Sequence, residues 1–508
     1  MPKQNKLNID ILNSDNLVLI FERLYDDKKS LVSCLFVNRL WCQTSLRILW
    51  KDPWSLFLNE DKLEKSKPFF RTILSQLPDD SKKILAGRNI KIEPPKPLFD
   101  YVSHLRYINH TYSADGKKDN DIYNYAFNNY NESQRSELKK EVYKFFFKKC
   151  SSLIFIDLTN CNYKLTDFPD IDKNLSNLNH LRLDDKFIQL ISSLTELCKS
   201  IEKVDINLTC SNPTGISKFF QAQLRLKSII IRDNVNESNN TSLEKQYGMI
   251  GDAIVEKRDL TYLDLTIENN VSFYNNLLTN LTKLRKLVLY DSRYRNVTVH
   301  KQLKFDNFSQ LQVLQIGISF SVAVKIIQAT KNTIQVIWLD KGNQESEEQI
   351  ALLIRSITEH CRKLKYLKTY LKDENLEDFK QLLLNCKYLE GLYIFRGSIY
   401  NDEDGKKLLD VLADAAQENL YKFQLHYCYF KIDTLDNFFK KWKGKKGRKP
   451  LYLYPILANY YETRYLSREE FNKNKKRFNE MIERYKKDKT IKIFENSKDF
   501  MFINDFEF

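Results

Sequence analysis

The sequence predicts an α/β solenoid: an N-terminal three-helix module, then a curved array of strand–helix repeats with a parallel concave sheet and outer helices. Three observations carry this. An aliphatic pattern returns eleven times between residues 153 and 425, a compact helical pattern fills residues 8–54, and glycine is scarce, with 12 in 508 residues. Scarce glycine disfavours nucleotide-binding folds built on glycine-rich turns. No G-x-G-x-x-G, Walker-type, H-E-x-x-H or G-x-S-x-G motif occurs.

Composition narrows the class further. A hydrophobic content of 42% with 13% aromatics belongs to a folded chain. The N-terminus "MPKQNKLNIDILNSDN" lacks the apolar centre of a signal peptide, and no uncharged apolar window approaches the roughly 18 residues of a membrane span. The nine cysteines include no C-x-x-C pair and read as reduced thiols, which places the chain in cytosol or nucleus. The net charge of +15 raises nucleic acid as an alternative partner. Its one concentrated run is "KKWKGKKGRKP", Lys440–Pro450. That run reads either as a solvated loop between two repeat elements or as a nuclear-import or phosphate-binding patch, with Trp442 keeping the second reading open.

The repeated pattern is L-x-x-L-x-L. It starts at Leu153, Leu178, Ile201, Leu226, Leu260, Leu284, Leu311, Ile334, Leu364, Leu389 and Leu420, in steps of 25, 23, 25, 34, 24, 27, 23, 30, 25 and 31 residues. The last four residues of each copy alternate like a short strand. Helix-like segments such as "DKFIQLISSLTELCKS" and "NLEDFKQLLLNCKYL" lie between copies. One strand with one helix cannot bury its apolar face alone, so neighbours must stack. Cys150, Cys198, Cys361 and Cys386 precede the first aliphatic by three residues, and Cys161, Cys210 and Cys428 follow the start by eight or nine. This resembles the cysteine-containing leucine-rich repeat, and the thiols read as a buried column of small hydrophobes in preference to a metal site.

Upstream, Leu17, Ile20, Phe21 and Leu24 share one helical face, with Ser14 or Asp15 placed to cap it. "DDKK" is a turn; Leu31, Cys34, Leu35 and Val37 begin a second helix, and Trp41, Leu46, Leu49 and Trp50 carry a third. Residues 8–54 resemble the F-box, on Leu12, Asn13, Asp15, Leu17, Ile20, Phe21 and Leu24, then Leu31, then Val37, Arg39 and Trp41, then Leu49 and Trp50. It particularly resembles fungal F-box proteins in which an F-box with "VNRLWC" and "ILW..PW" heads degenerate leucine-rich repeats. Asn13 departs from the pattern, which has Pro there. Trp41 and Trp50 read as large anchors of a small module, and Trp54 as a seal on the junction to the next segment.

The resemblance implies a substrate receptor of an SCF-type ubiquitin ligase: the F-box docks a Skp-type adaptor, through it a cullin–RING assembly, and the repeats bind a protein substrate. It implies adaptor contact by Leu12, Leu17, Ile20, Phe21, Leu24, Leu31, Val37 and Trp41. Ubiquitin transfer belongs to other subunits, so the chain is expected to be non-catalytic, without cofactor or metal. The alternative is a non-ligase leucine-rich-repeat scaffold or a basic nucleic-acid-associated protein.

The remaining organisation is a helical and loop linker over 55–140 with a mobile polar segment near 112–137, the solenoid over 141–455, and a C-terminal helical flank over 456–508. Ser467 and Glu470 make a capping box there, with Phe471, Phe478, Ile482 and Tyr485 on one face. On the concave face the early copies present Asp157, His180, Arg182, Lys203 and Asp205. The later ones present Trp338, Tyr366, Lys368, Tyr370, Tyr393, Phe395, Lys422 and His426, aromatics beside lysines as in protein-binding surfaces. The competing reading is that these rings pack on one another across strands.

Overall fold

In the computed structural model, residues 13–494 are described except 57–63, 65, 93–96, 114–118, 169–170, 234–240, 268–270, 292–300, 306, 341–344, 397–401, 429 and 458–467. The chain divides into two compact units, Met1–Val235 and Asn236–Phe508.

The first unit opens with three helices, α1 (Ser14–Arg23), α2 (Lys28–Cys34) and α3 (Arg39–Leu49). Five parallel strands follow in sequence order: β1 (Tyr107–Ile108), β2 (Phe155–Asp157), β3 (His180–Asp184), β4 (Lys203–Leu208) and β5 (Ser228–Asp233). The second unit holds nine more, again parallel and in order: β6 (Tyr262–Ile267), β7 (Lys286–Asp291), β8 (Val313–Gly317), β9 (Val336–Leu339), β10 (Tyr366–Leu371), β11 (Gly391–Arg396), β12 (Lys422–Cys428), β13 (Leu451–Leu457) and β14 (Ile491–Phe494). Each of the eleven predicted copies supplies one strand that starts two residues after its first aliphatic. Strand and helix alternate along both units, which is the solenoid the pattern requires.

Three of the parallel strands lie beyond the predicted copies: β1, β13 and β14. The backbone shows how β1 is started. In each repeat of the first unit, two successive N–H groups converge on one carbonyl of the repeat before: Ile154 and Phe155 on Arg106, Asn179 and His180 on Ile154, Glu202 and Lys203 on Asn179. Arg106 and Tyr107 converge in the same way on the Lys51 carbonyl, at 3.0 and 3.1 Å, just after α3. The helical module therefore covers the first sheet edge, which would otherwise expose unpaired backbone groups. Trp54 completes the seam: it is fully buried against Phe69, Phe70 and Phe146, and its Nε1 donates to the Tyr107 carbonyl at 2.8 Å.

The helices obey a local stop rule. Those ending at Lys149, Leu197, His360 and Asn385 are C-capped by Cys150, Cys198, Cys361 and Cys386, and a strand begins five residues after each cysteine. All four thiols are buried, as are Cys161 and Cys210, and burial pushes Cys150, Cys198 and Cys386 up to about 12. Such thiols stay protonated and serve as packing groups. The side chain of Cys428 lies outside the described residues. Gln223 takes the cysteine's place after the helix Pro213–Ala222, and its Nε2 donates to the Cys198 carbonyl at 2.9 Å.

The expected mobile segment at 112–137 differs. Thr111–Ser113 pairs antiparallel with Asp119–Asp121, a helix covers Ile122–Ala126, and a long helix spans Glu132–Lys149. Its polar surface hides a strong start signal: Asn131 and Gln134 form a reciprocal capping box. In the C-terminal flank, Ser467 lies outside the described residues, as does the side chain of Phe471. Tyr485 of the helix Arg468–Lys487 packs on Phe439 at 5.0 Å. That helix feeds a further strand, β14, so the flank is also a repeat.

Candidate functional site

Two surfaces bear on function, one in each unit. In the helical module, all three helices start on an Asx cap. Asn13 accepts from the Asn16 N–H at 2.9 Å, Asp27 from Ser30 at 3.1 Å and Asn38 from Trp41 at 2.9 Å. The cap of α1 is thus Asn13, one residue ahead of the expected Ser14 or Asp15. The core is Leu17, Phe21, Leu31, Cys34, Ile48 and Leu49, with Leu24, Trp41 and Trp50 packed against it. The rings of Phe21 and Trp41 meet edge-on at 5.2 Å.

This core corrects part of the expected adaptor surface. Leu17, Phe21 and Leu31 are fully enclosed by their own module, and Leu24 and Trp41 are half-buried. A module this small must spend most of one helical face on its own core. Ile20 and Val37 are exposed as expected, and Leu12 lies outside the described residues. The exposed set is completed by Leu19, Val32, Phe36 and Leu40, with Phe36 84% accessible. Sequence reasoning missed Phe36 because Leu35–Val37 read as helix; α2 in fact ends at Cys34 and the chain turns there. Six of the fourteen exposed large hydrophobics among the described residues lie between Leu19 and Leu40.

In the second unit, the strand face away from the leucine-rich row is built in register. One row runs Tyr262, Lys286, Val313, Val336, Tyr366, Gly391, Lys422 and Tyr452. The next holds Gln315, Trp338, Lys368, Tyr393, Gln424 and Tyr454. All eight predicted residues lie on this face, and the rings pack laterally. Trp338 and Tyr393 are 5.7 Å apart, Tyr370 stacks on Phe395 at 5.0 Å, and His426 lies 4.6 Å from Tyr393 and 4.5 Å from Phe395. Lys368 sits 4.7 Å over Trp338 and 5.0 Å over Tyr393 while pairing with Asp340. The Tyr393 hydroxyl and His426 Nε2 are 2.6 Å apart. Burial and the nearby Lys368 ammonium hold His426 down to about 4, so it is neutral near pH 7.

Packing changes what the face offers. Trp338, Tyr366, Tyr393 and His426 are buried by their neighbours, whereas Lys368, Tyr370, Phe395 and Lys422 keep a half-exposed edge. The four buried groups therefore belong to the packing of the sheet, and only the other four are accessible from outside it. In the first unit, Asp157 and Asp205 are buried and Arg182 bridges towards both, at 4.0 and 2.8 Å. The His180 ring packs tilted against Phe155 at 4.3 Å.

The first part of the basic run, Lys440 to Gly444, is the end of a helix, Ile432–Gly444, and Trp442 is buried within it; residues 445–450 connect that helix to β13. Lys440, Lys441 and Lys443 pair with Asp436, Asp410 and Asp488 at 2.7, 2.7 and 2.8 Å, and Arg448 stacks on Trp442 at 3.9 Å. The solvated-loop reading holds for residues 445–450 and is corrected for 440–444, where the amphipathic spacing of Leu435, Phe438, Phe439 and Trp442 makes the segment helical.

Among the described residues no group of three or more His, Cys, Asp or Glu is placed to hold a metal ion, and no helix is long and apolar enough to cross a membrane. No family model and no curated protein matches the chain. Among solved structures it is similar to the Rad7 and Elc1 complex in yeast, with 14% identity over 59% of this chain and 76% of that chain and a TM-score of 0.37.

Proposed function

We propose that this chain is a non-catalytic substrate receptor of an SCF-type ubiquitin ligase, working in cytosol or nucleus. Its helical module docks a Skp-type adaptor, and the strand face of the second unit receives a protein substrate. The observation that carries this is the exposed apolar set Leu19, Ile20, Val32, Phe36, Val37 and Leu40 on a module whose own core is already complete. Exposed apolar side chains concentrated on one small helical element are the signature of a docking surface. The surrounding F-box resemblance says which partner. Three lysines of the basic run, which raised nucleic acid, are engaged by Asp436, Asp410 and Asp488.

The test is co-expression with a Skp-type adaptor. Ile20→Asp and Phe36→Asp are expected to abolish co-purification without unfolding the chain, because both side chains are exposed. Leu384→Asp, at an exposed apolar site of the second unit, serves as the control and keeps the adaptor. Wild-type chain that captures no such adaptor would overturn the reading. Leu17→Asp is unsuitable, since a charge at that enclosed site unfolds the module.

A further inference from the structure

Trp338 and Tyr393 stand on β9 and β11, on either side of β10, and share one register row with Lys368 of that strand. Strands two apart in a sheet are separated by roughly 9.5 Å, yet the two ring centres are 5.7 Å apart, with their planes at 55°. The rings therefore lean together across β10 and open as a V. The Lys368 ammonium lies at its mouth, 4.7 Å from Trp338, 5.0 Å from Tyr393 and 5.7 Å from Phe395, which forms a third wall. Asp340 supplies the counter-ion. Lys368 and Phe395 keep an edge in solvent, so this cage opens outward.

The walls are held in place by further partners. The Asp340 carboxylate accepts from the Tyr290 hydroxyl at 2.9 Å and from Gln315 Nε2 at 3.2 Å. Tyr393 stacks on His426 at 4.6 Å, and its hydroxyl lies 2.6 Å from the His426 Nε2. Phe395 is packed between Tyr370 and His426, at 5.0 and 4.5 Å. Lys368 is the exception. Its ammonium ends a flexible four-carbon stem, and Asp340 is its one carboxylate among the described residues. Rings and a carboxylate fixed around one rotatable side chain make a preformed cation site, whose resident can leave while the walls stay.

We infer that Trp338, Tyr393, Phe395 and Asp340 form a binding cage for a methylated ammonium group, with Lys368 as its resident placeholder and a methylated lysine of a partner protein as the ligand. The exchange selects the methyl groups. An unmodified lysine would replace one ammonium by another and gain nothing against the cost of association. Methylation keeps the charge and removes N–H groups, so the cation gives up less hydration on entering, while the rings still attract it. Lys368, a strongly hydrated point charge, returns to water. The inference rests on the receptor reading only for placing the cation on a protein; a free quaternary ammonium compound carries the same chemistry.

Fluorescence anisotropy on the full chain tests this with a labelled Gly-Ser peptide carrying one trimethyllysine, the same peptide with unmodified lysine, and choline as competitor. The trimethyllysine peptide is expected to bind about tenfold tighter than the unmodified one. Lys368→Ala empties the cage and is expected to tighten both peptides about tenfold or more. Asp340→Asn and Phe395→Leu are expected to weaken the trimethyllysine peptide about fivefold or more, and Lys422→Ala, on the same face outside the cage, to leave it unchanged. Circular dichroism melts establish that each variant is folded, and Phe395→Leu, at a partly exposed wall, serves where another variant is not. Displacement of the peptide by choline identifies the ammonium as the bound group; choline binding without peptide binding makes a free quaternary ammonium the ligand. Equal binding of the two peptides, no gain in Lys368→Ala, or no binding of peptide or choline to either protein would each overturn the inference. Loss of adaptor capture with peptide binding intact strikes the receptor reading alone.

Discussion

The ring of Tyr366 occupies the space over Gly391, its register partner on the next strand. A Cβ built on Gly391 would meet Tyr366 Cδ1 at 2.7 Å and Cε1 at 2.9 Å. The ring is pinned by its hydroxyl, which donates to Glu390 at 3.1 Å and lies 3.5 Å from Lys422 Nζ. Tyr290 repeats the arrangement over Gly317, its own partner, and reaches Asp340 at 2.9 Å. Two of the few glycines are thus placed where a tyrosine crosses the sheet, not where the backbone turns.

Gly391→Ala is therefore expected to destabilise the second unit by about 1–3 kcal/mol, the usual cost of forcing an extra carbon into a packed site. Tyr366→Leu in the same chain frees the space and should recover part of that loss. Urea midpoints of the single and double variants measure the coupling; strict additivity would show that the ring does not block the methyl.

How much of this was legible in sequence depends on single residues. Ten of the eleven strands announced themselves because aliphatics hold both ends of their pattern, and the copy at Leu364, which ends in Thr369, did so by its spacing. β1 did not, although Leu105 and Ile108 fit, because His110 stands in register with Leu158 where a final aliphatic belongs. β13 was missed because Pro455 stands in register with Leu425, where the final aliphatic belongs, and Pro450 falls two residues before the strand's Tyr452 where the first one belongs. On the strand face of the second unit, alternation put all eight candidate residues on one side of the sheet. It could not reveal which rings would be buried, because lateral packing depends on how far each ring leans across the neighbouring strand. In the helical module, an i, i+3, i+4 face cannot by itself divide apolar residues between core and partner.

His110 shows that breaking the pattern has been accommodated. It is fully buried, with Tyr143 Oη 2.8 Å from Nδ1, Lys139 Nζ 3.0 Å from Nε2 and the Thr159 carbonyl 3.2 Å from Nε2. Reverting a repeat to consensus ordinarily stabilises it. His110→Leu is expected to do the opposite, costing about 1–3 kcal/mol, because it removes a partner from buried Lys139 and Tyr143. Guanidinium unfolding decides: a more stable Leu variant would show that the polar cluster contributes nothing.

His426 sets a pH dependence. Its folded pKa of about 4 lies below its ordinary 6.5, so the unfolded chain takes up the proton first as pH falls. Its contribution to stability is therefore complete above about 6.5 and is lost as pH falls towards about 4. His180, held down to about 3 by burial and by Lys203, acts in the same direction within the first unit. The urea midpoint should drop between pH 7.5 and 4.5, and His426→Gln, which cannot titrate, should make that drop smaller. An unchanged drop would assign it to carboxylates elsewhere.

Asn13 is where the helical module departs from the F-box pattern, and its geometry says what the departure does. Its φ of −70° is close to the angle of about −65° that a proline ring imposes, and its carbonyl accepts from the Leu17 N–H at 3.1 Å. Proline would keep both features and lose only the side-chain cap on Asn16. Asn13→Ala is expected to cost about 0.5–2 kcal/mol through the lost cap. Asn13→Pro loses the same cap but restricts the unfolded chain, which returns about 0.4–1 kcal/mol, so it should fall between Ala and wild type. Measuring thermal stability and adaptor capture on the same three proteins separates two roles. If proline raises capture while stability changes little, the family residue acts at the interface; if capture follows stability across all three, position 13 acts only as a helix cap.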